Sequence, residues 1–353
     1  MRRKDINDAV HGLGDMLSFN ESLMRSANDD ACNDPKASGA ANANQAGGQV
    51  KLGYSQRLSD CGRRNQVFAD FGVTYSKLGG NWNSRMFASL RFERRLDADL
   101  TLGAALLASQ ASDTLTGFTN SSISDESLQL NLYGRYRITD KLRTGAFAGY
   151  GRGWYDFGLA ESDGFVLNGT MIGKRQVYGW MLSGDFNLGD TVITTDAIVS
   201  HAREKLGSAT LAARYLGENR SGIAFAVGSV DTTRISVPLT APIQLTGSDE
   251  LGTSARLLLS PGLLCEDNDV ETSALRCGYQ LGAKLVANDG GRNRFYADYR
   301  WESVAGMRRS LIGMGYSYRF GDKGLELALE ANRGITGTTR QDNRIMVVLH
   351  VAQ

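Results

Sequence analysis

"ESLQLNLYGRYRI", residues Glu126 to Ile138, reads as a strand with two unlike faces. Leu128, Leu130, Leu132, Tyr136 and Ile138 fall on one side at a period of two, and Ser127, Gln129, Asn131, Tyr133, Arg135 and Arg137 on the other. Residues Arg292 to Glu302 repeat the rule: Phe295, Ala297, Tyr299 and Trp301 oppose Arg294, Tyr296, Asp298, Arg300 and Glu302. Two arginines, an aspartate and a glutamate cannot lie unpaired in a dry core. The apolar face therefore meets something oily, and the charged face meets water.

A soluble sandwich also alternates, so strand length and turn rhythm decide between the two. Fourteen strand candidates, from 66–77 to 341–352, run about 12 to 16 residues, against about 5 to 6 in soluble sheets. A tilted strand needs about 9 to 11 residues to cross the hydrocarbon of a bilayer. The connections alternate in kind: "RLDAD", "ITDK", "LGD", "NDGG" and "FGDKG" are tight, whereas Ala111 to Asp125, Asp156 to Lys174, Lys205 to Ser221 and Cys265 to Ala274 are longer and polar. Short turns at one end and long loops at the other mark an outer-membrane barrel, with periplasmic turns opposite extracellular loops. Leu239 to Leu251, after a strand expected at 222–238, is longer than that rhythm allows.

Composition agrees. The 353 residues include 42 Gly and only 4 Pro, which suits β structure. Lys plus Arg number 39 against 38 Asp plus Glu, leaving no electrostatic footprint for nucleic acid. No apolar run reaches the roughly 18 to 20 residues of a spanning helix.

Ahead of the strands, Ile6, Ala9, Val10, Leu13, Met16, Leu17, Leu23 and Met24 follow the helical period. Residues 1–26 are expected to form one amphipathic helix, and 27–65, rich in Ala, Asn, Gly and Asp, a linker or loop ahead of a barrel at 66–353. The basic start lacks the apolar stretch of a signal peptide, which suits a chain kept inside the cell or the downstream part of a longer precursor. The four cysteines fall into two pairs, Cys32 with Cys61 and Cys265 with Cys277. Neither pair forms CxxC or is spaced with a histidine, which argues against a metal site and for two disulfides in an oxidising compartment.

A helix, a linker and about twelve amphipathic strands resemble the translocator domain of classical monomeric autotransporters, the type V secretion family. "FADFGVTYSKLGG", "RRLDADLTLGAALLASQ", "VYGWMLSGDFNLGDTVITTDAIVSHAREK" and "RFYADYRWESVAGMRRSLIGMGYSYRF" carry the likeness over about residues 66 to 320. It implies an all-β, transmembrane, antiparallel up-and-down barrel of 12 strands in the Gram-negative outer membrane, with the helix threaded through its lumen. The implied partners are outer-membrane lipid, the barrel-assembly machinery, periplasmic chaperones and an N-terminal passenger that is not part of this chain. In that family an outward aromatic at the C-terminus belongs to the assembly signal; Tyr316, Tyr318 and Phe320 supply such a pattern here, but internally. Two more amphipathic segments follow, so the count becomes 14 if this last hairpin joins, and the chain departs from the family by ending on Gln353.

Nothing in the chain assembles a catalytic site. There are three histidines and no GxSxG elbow, and no cofactor or metal ligand set is apparent. His201 is expected to be a paired lumen or rim residue. Asn20 before Glu21 resembles the cleavage site of self-cleaving autotransporters, but the Asn-Asn pair of that branch is missing, and the two residues are expected to form a polar helix face contacting the lumen. Arg91, Glu93, Arg135, Arg137, Asp298, Arg300 and Glu302 are expected to line the lumen, solvating it and holding the helix. A passive porin, and a barrel adhesin binding through its extracellular loops, are the alternatives.

Overall fold

The computed structural model describes residues 19–21, 23–24, 36–44, 47–60, 63–78, 81–114, 121–160, 164–189, 191–226, 228–247, 253–268, 275–289, 293–304, 307–320, 325–336 and 340–352. The strands are β1 (Lys36–Asn44), β2 (Gly47–Arg57), β3 (Asn65–Leu78), β4 (Asn81–Arg95), β5 (Leu100–Thr114), β6 (Ser122–Arg137), β7 (Leu142–Ala160), β8 (Phe165–Leu188) and β9 (Thr191–Leu206). There follow β10 (Ser208–Tyr215), β11 (Glu218–Ala226), β12 (Ser229–Gly247), β13 (Thr253–Asn268), β14 (Arg276–Asp289), β15 (Asn293–Val304), β16 (Met307–Phe320), β17 (Leu325–Thr336) and β18 (Arg340–Ala352).

All eighteen belong to one antiparallel sheet. Strands β1 to β9 and β12 to β18 each pair with the next in sequence, β9 pairs across to β12, and β18 pairs with β1 over the whole of Lys36–Asn44. The result is a closed ring of sixteen staves without a free edge, the arrangement that satisfies every ladder hydrogen bond in lipid. β10 and β11 leave the ring as a hairpin, and Ala212–Tyr215 lean back on Phe165–Asn168 of β8. Its two-residue turn holds Leu216 at φ 51° and Gly217 at φ 85°, the left-handed pair that lets a tight hairpin follow the twist of its strands.

Fourteen staves match the segments whose alternation is visible in the sequence. The count of 12 or 14 is corrected to sixteen by β1 and β2, which lie inside the stretch expected to be a linker. "KASGAANAN" is poor in β-branched and aromatic residues and carries no apolar alternation. Its strand state is set by its neighbours, β18 on one side and β2 on the other, rather than by its own propensity. The expected loop Lys205 to Ser221 likewise contains β10 and the start of β11, which runs on to Ala226.

The long connection at Leu239 to Leu251 dissolves: β12 starts later than expected and continues to Gly247. Pro238 and Pro242 disguise it. A proline cannot donate to a ladder, and the pairing of β12 with β9 ends at Thr240, so from Pro242 onward only β13 is a neighbour.

Side chains sort by face as the alternation requires. Leu90, Phe92, Leu106, Leu128, Leu130, Leu132, Tyr150 and Tyr178 stand exposed on the outer face, whereas Arg91, Glu93, Gln129, Asn131, Arg175 and Glu204 are buried on the inner one. Most of the expected helix lies outside the described residues. Phe19, Asn20, Glu21, Leu23 and Met24 are helical, and all but the half-buried Phe19 are buried within the ring. Among the described residues no helix is long and apolar enough to cross a membrane.

Cys265 on β13 and Cys277 on β14 are direct cross-strand partners and form a disulfide; Cys32 and Cys61 lie outside the described residues. The bond closes a sequence separation of 12 residues at the long-loop end of the ring. Cys265→Ala with Cys277→Ala should lower unfolding stability in detergent by about 3 kcal/mol, read as a shift in the urea midpoint. An unchanged midpoint would show that the ladder alone fixes this hairpin.

Candidate functional site: the barrel lumen

The inner face of β3 to β9 is where charge, burial and the helical segment converge. Glu93 and Arg91 stand two residues apart on β4, so both point inward. Arg91 reaches Asp70 of β3 through Nε at 3.0 Å, and Ser55 and Ser89 donate to the same carboxylate at 2.7 and 2.8 Å. Glu93 accepts from the Tyr133 hydroxyl at 2.7 Å and from Arg135 Nη2 at 2.5 Å. Arg135 has a second task. Its Nη1 donates to the backbone carbonyl of Leu23 at 3.2 Å, so the wall grips the helical segment at a main-chain acceptor.

Around that grip the contacts are apolar. Leu23 and Met24 belong to one buried cluster with Ala105, Tyr133, Phe147, Val177, Met181 and Ile198. Gly145 leaves the room: a Cβ there would stand 2.8 Å from Met24 Sδ. On the far side Glu21 faces Arg234 of β12 at 3.8 Å, so the segment bridges two arcs of the ring. Below Met24, a cavity of about 350 Å³ opens at the short-turn end among Arg135, Lys141, Arg143 and Met181.

Nearer the long-loop end lies a second network. Arg175 of β8 is 1% exposed and donates to Asp125 of β6 at 2.5 Å, to Glu204 of β9 at 3.0 Å and to the Tyr155 hydroxyl of β7 at 2.7 Å. Tyr155 in turn donates to Glu204 at 2.6 Å. One cation, two carboxylates and a phenol from four adjacent strands thus tie the wall together. Above them Ile123, Phe157, Met171, Leu206 and Leu211 form an apolar cap, to which the β10–β11 hairpin contributes Leu211.

The seven lumen residues named from sequence separate into three places. Arg91, Glu93 and Arg135 meet in one network. Arg137 lies further toward the short-turn mouth, beside Arg64, Arg95 and Arg143. Asp298, Arg300 and Glu302 lie on β15 across the ring, where Glu302 approaches Arg309 at 3.8 Å and Arg300 is exposed to the lumen. The sequence reading missed Asp70, Asp125, Tyr155, Arg175 and Glu204. Asp70, Tyr155, Arg175 and Glu204 stand at inward positions of expected strands and Asp125 at the end of an expected loop that the structure makes part of β6, but which of them meet depends on cross-strand register. His201 is not a lumen residue: it stands on the outer face, stacked on Tyr178 at 5.0 Å and hydrogen-bonded to Thr233 at 2.9 Å. Tyr316, Tyr318 and Phe320 face outward at the short-turn end of β16, with Tyr316 against Phe295 and Tyr318 against Phe320, both at 4.8 Å. No group of three or more potential metal ligands occurs among the described residues.

Solved structures with the same architecture fix the type of barrel. CdiB from Acinetobacter baumannii superposes with a TM-score of 0.54 at 12% identity, over 90% of this chain and 60% of that one. FpvA of P. aeruginosa gives 0.50 at 11% identity, over 86% and 48%. The fold is that of a Gram-negative outer-membrane β-barrel. The outward band of Leu, Phe and Tyr around a charged interior is what such a barrel presents to lipid. The translocator domain of autotransporter NalP from Neisseria meningitidis also matches, at 12% identity over 98% of this chain and 97% of that one, with a TM-score of 0.44. The chain thus spans less than two thirds of CdiB and of FpvA. No protein-family model matches it, and no curated protein sequence does.

Proposed function

We propose that this outer-membrane barrel carries an N-terminal passenger to the cell surface and that the helical segment afterwards occupies its lumen. The observation that supports this best is the burial of Leu23 and Met24 against β6, β7 and β8, with the Leu23 carbonyl held by Arg135. Chain direction supports it too. β1 starts at the end where the short turns lie, opposite Ala352, so a chain running down the lumen reaches its first stave without crossing the wall. By the turn-length rule that end is periplasmic, which would leave anything upstream of the helix on the cell surface. In this reading lipid is the solvent of the outer face, periplasmic chaperones hold the unfolded chain, and the assembly machinery reads the aromatic run Tyr316, Tyr318 and Phe320.

The test is surface display. An epitope fused ahead of Met1, behind a secretion signal, should become sensitive to protease added to intact cells while the barrel stays heat-modifiable on a gel. An epitope that remains protected in cells holding a folded barrel would sink the proposal.

A second reading, a passive channel, draws on the ring size. Barrels of about 16 to 18 strands leave an aqueous channel, and on the wall far from the helical segment Lys284 and Arg300 stand exposed on the inner face. That reading expects conductance whether or not an epitope appears outside.

A further inference from the structure

The outer face of the barrel carries a charge pattern that lipid tails alone cannot accommodate. In the register of β7, β8 and β9, Arg152 lies directly opposite Lys174, and Lys174 directly opposite Lys205. All three are at outward positions of their strands and exposed. Two residues below Lys205 along β9, Arg203 points the same way and reaches Asp231 at 3.3 Å. Like charges directly opposed across a ladder destabilise a sheet. Among the described residues, none of Arg152, Lys174 and Lys205 has an ion-pair partner. The nearest outward acids are Asp231, engaged with Arg203, and Glu126, one step diagonal to Arg152 and opposite Trp154.

Height on the barrel says what meets this row. It lies in the long-loop half of the wall, with Tyr150 and Tyr178 just below it and Trp154 and Ile172 just above, all exposed. Outward tyrosine and tryptophan mark the level where tails give way to headgroups. A cation on the lipid face costs about 2 to 4 kcal/mol at the midplane but little at the interface, where long side chains also extend their heads toward water. Three adjacent cations at that level, unneutralised by protein, are complementary to phosphate.

We propose that Arg152, Lys174, Lys205 and Arg203 form a binding site for the phosphorylated headgroup of an outer-leaflet glycolipid. The lipid phosphates supply the negative charge that the register withholds, and Tyr178 and Trp154 offer flat apolar surface to the sugar and upper acyl region. The site is on the outer surface, so it does not depend on the translocator reading.

The experiment uses the full chain folded in zwitterionic micelles, with dissociation constants for three probes measured by native mass spectrometry: diphosphoryl lipid A, the same lipid stripped of both phosphates, and inorganic phosphate. Diphosphoryl lipid A should bind far more tightly than the other two. Arg152→Gln, Lys174→Gln and Lys205→Gln combined should weaken it on the order of a hundredfold, each charge near an anionic surface contributing about fivefold. Arg94→Gln, an outward cation at the opposite end of the wall, should leave it unchanged. A single Lys174→Glu covers the risk that the triple variant does not fold: it turns the two repulsive contacts of position 174, with Arg152 and with Lys205, into attractive ones, so stability in lipid-free micelles should rise while lipid binding falls. Equal affinity for the stripped lipid, or an unaltered constant in Lys174→Glu, would overturn the proposal. Binding of inorganic phosphate as tight as that of the lipid would reassign the row to soluble anions and overturn it equally.

Discussion

Arg175→Met should unfold the barrel at a markedly lower urea concentration, with a loss of about 3 to 5 kcal/mol. Met matches the length of the arginine stem and keeps its packing, so the change isolates the charge. What remains is Asp125 and Glu204, both buried, facing Tyr155 without the cation that four strands are arranged around. A buried ion pair adds little beyond an apolar replacement of the whole group, but removing one partner alone leaves uncompensated charge, and that is the expensive change. Arg300→Met is the matched control. Its side chain is exposed on the opposite wall, where an ion pair contributes at most about 1 kcal/mol. Equal shifts in the two variants would mean that water reaches Arg175 and that the network is not a dry one.

The second large effect is expected in planar bilayers. A chain beginning at Lys36 should keep the sixteen-stave ring and conduct severalfold more than the full chain, because Phe19 to Met24 no longer stand against β6, β7 and β8. Arg135→Ala should fall between them, since it releases the Leu23 carbonyl while leaving the segment attached. The starting point of the deletion matters. A chain beginning at Gln66, the first strand legible by alternation, would lack β1 and β2 and could not close, so high conductance from it would say nothing about the helical segment. If the Lys36 chain conducts like the whole protein, the lumen lane is set elsewhere, and the passive channel becomes the better reading.

That difference shows where sequence reading succeeded. Glu126 to Ile138 is legible because each residue there obeys one local rule, oily outside and polar inside, and the same rule yields all fourteen staves from β3 to β9 and from β12 to β18. β1 obeys no such rule. Its glycine, alanines and asparagines become a strand only because two partners flank it, information that resides in β18 and β2. The lumen was legible residue by residue but not as a network: Arg91, Glu93 and Arg135 were visible as inward, whereas the Arg175 group required knowing that Asp125 lies opposite Tyr155 and Arg175 opposite Glu204, with the long Arg175 side chain reaching along the wall to join the two pairs. His201, expected as a paired lumen or rim residue, is paired with Thr233, but its strand parity puts it on the outer face beside Tyr178. β12 was displaced: the strand expected at 222–238 covers the end of β11 and the start of β12, which runs on through Pro238 and Pro242 to Gly247.

The seam between β1 and β18 sets the order of events in assembly. Every other pairing in the ring joins strands close in sequence, but this one joins Lys36 to Ala352, so it cannot form until almost the whole chain is present and carries the largest loop-closure entropy. Until it forms, the sheet is an open ribbon with two raw edges. Met24 precedes Lys36 by only 12 residues. A helical segment that lies between the open edges before they meet is enclosed when they pair, the last two strands acting as a door that shuts behind it.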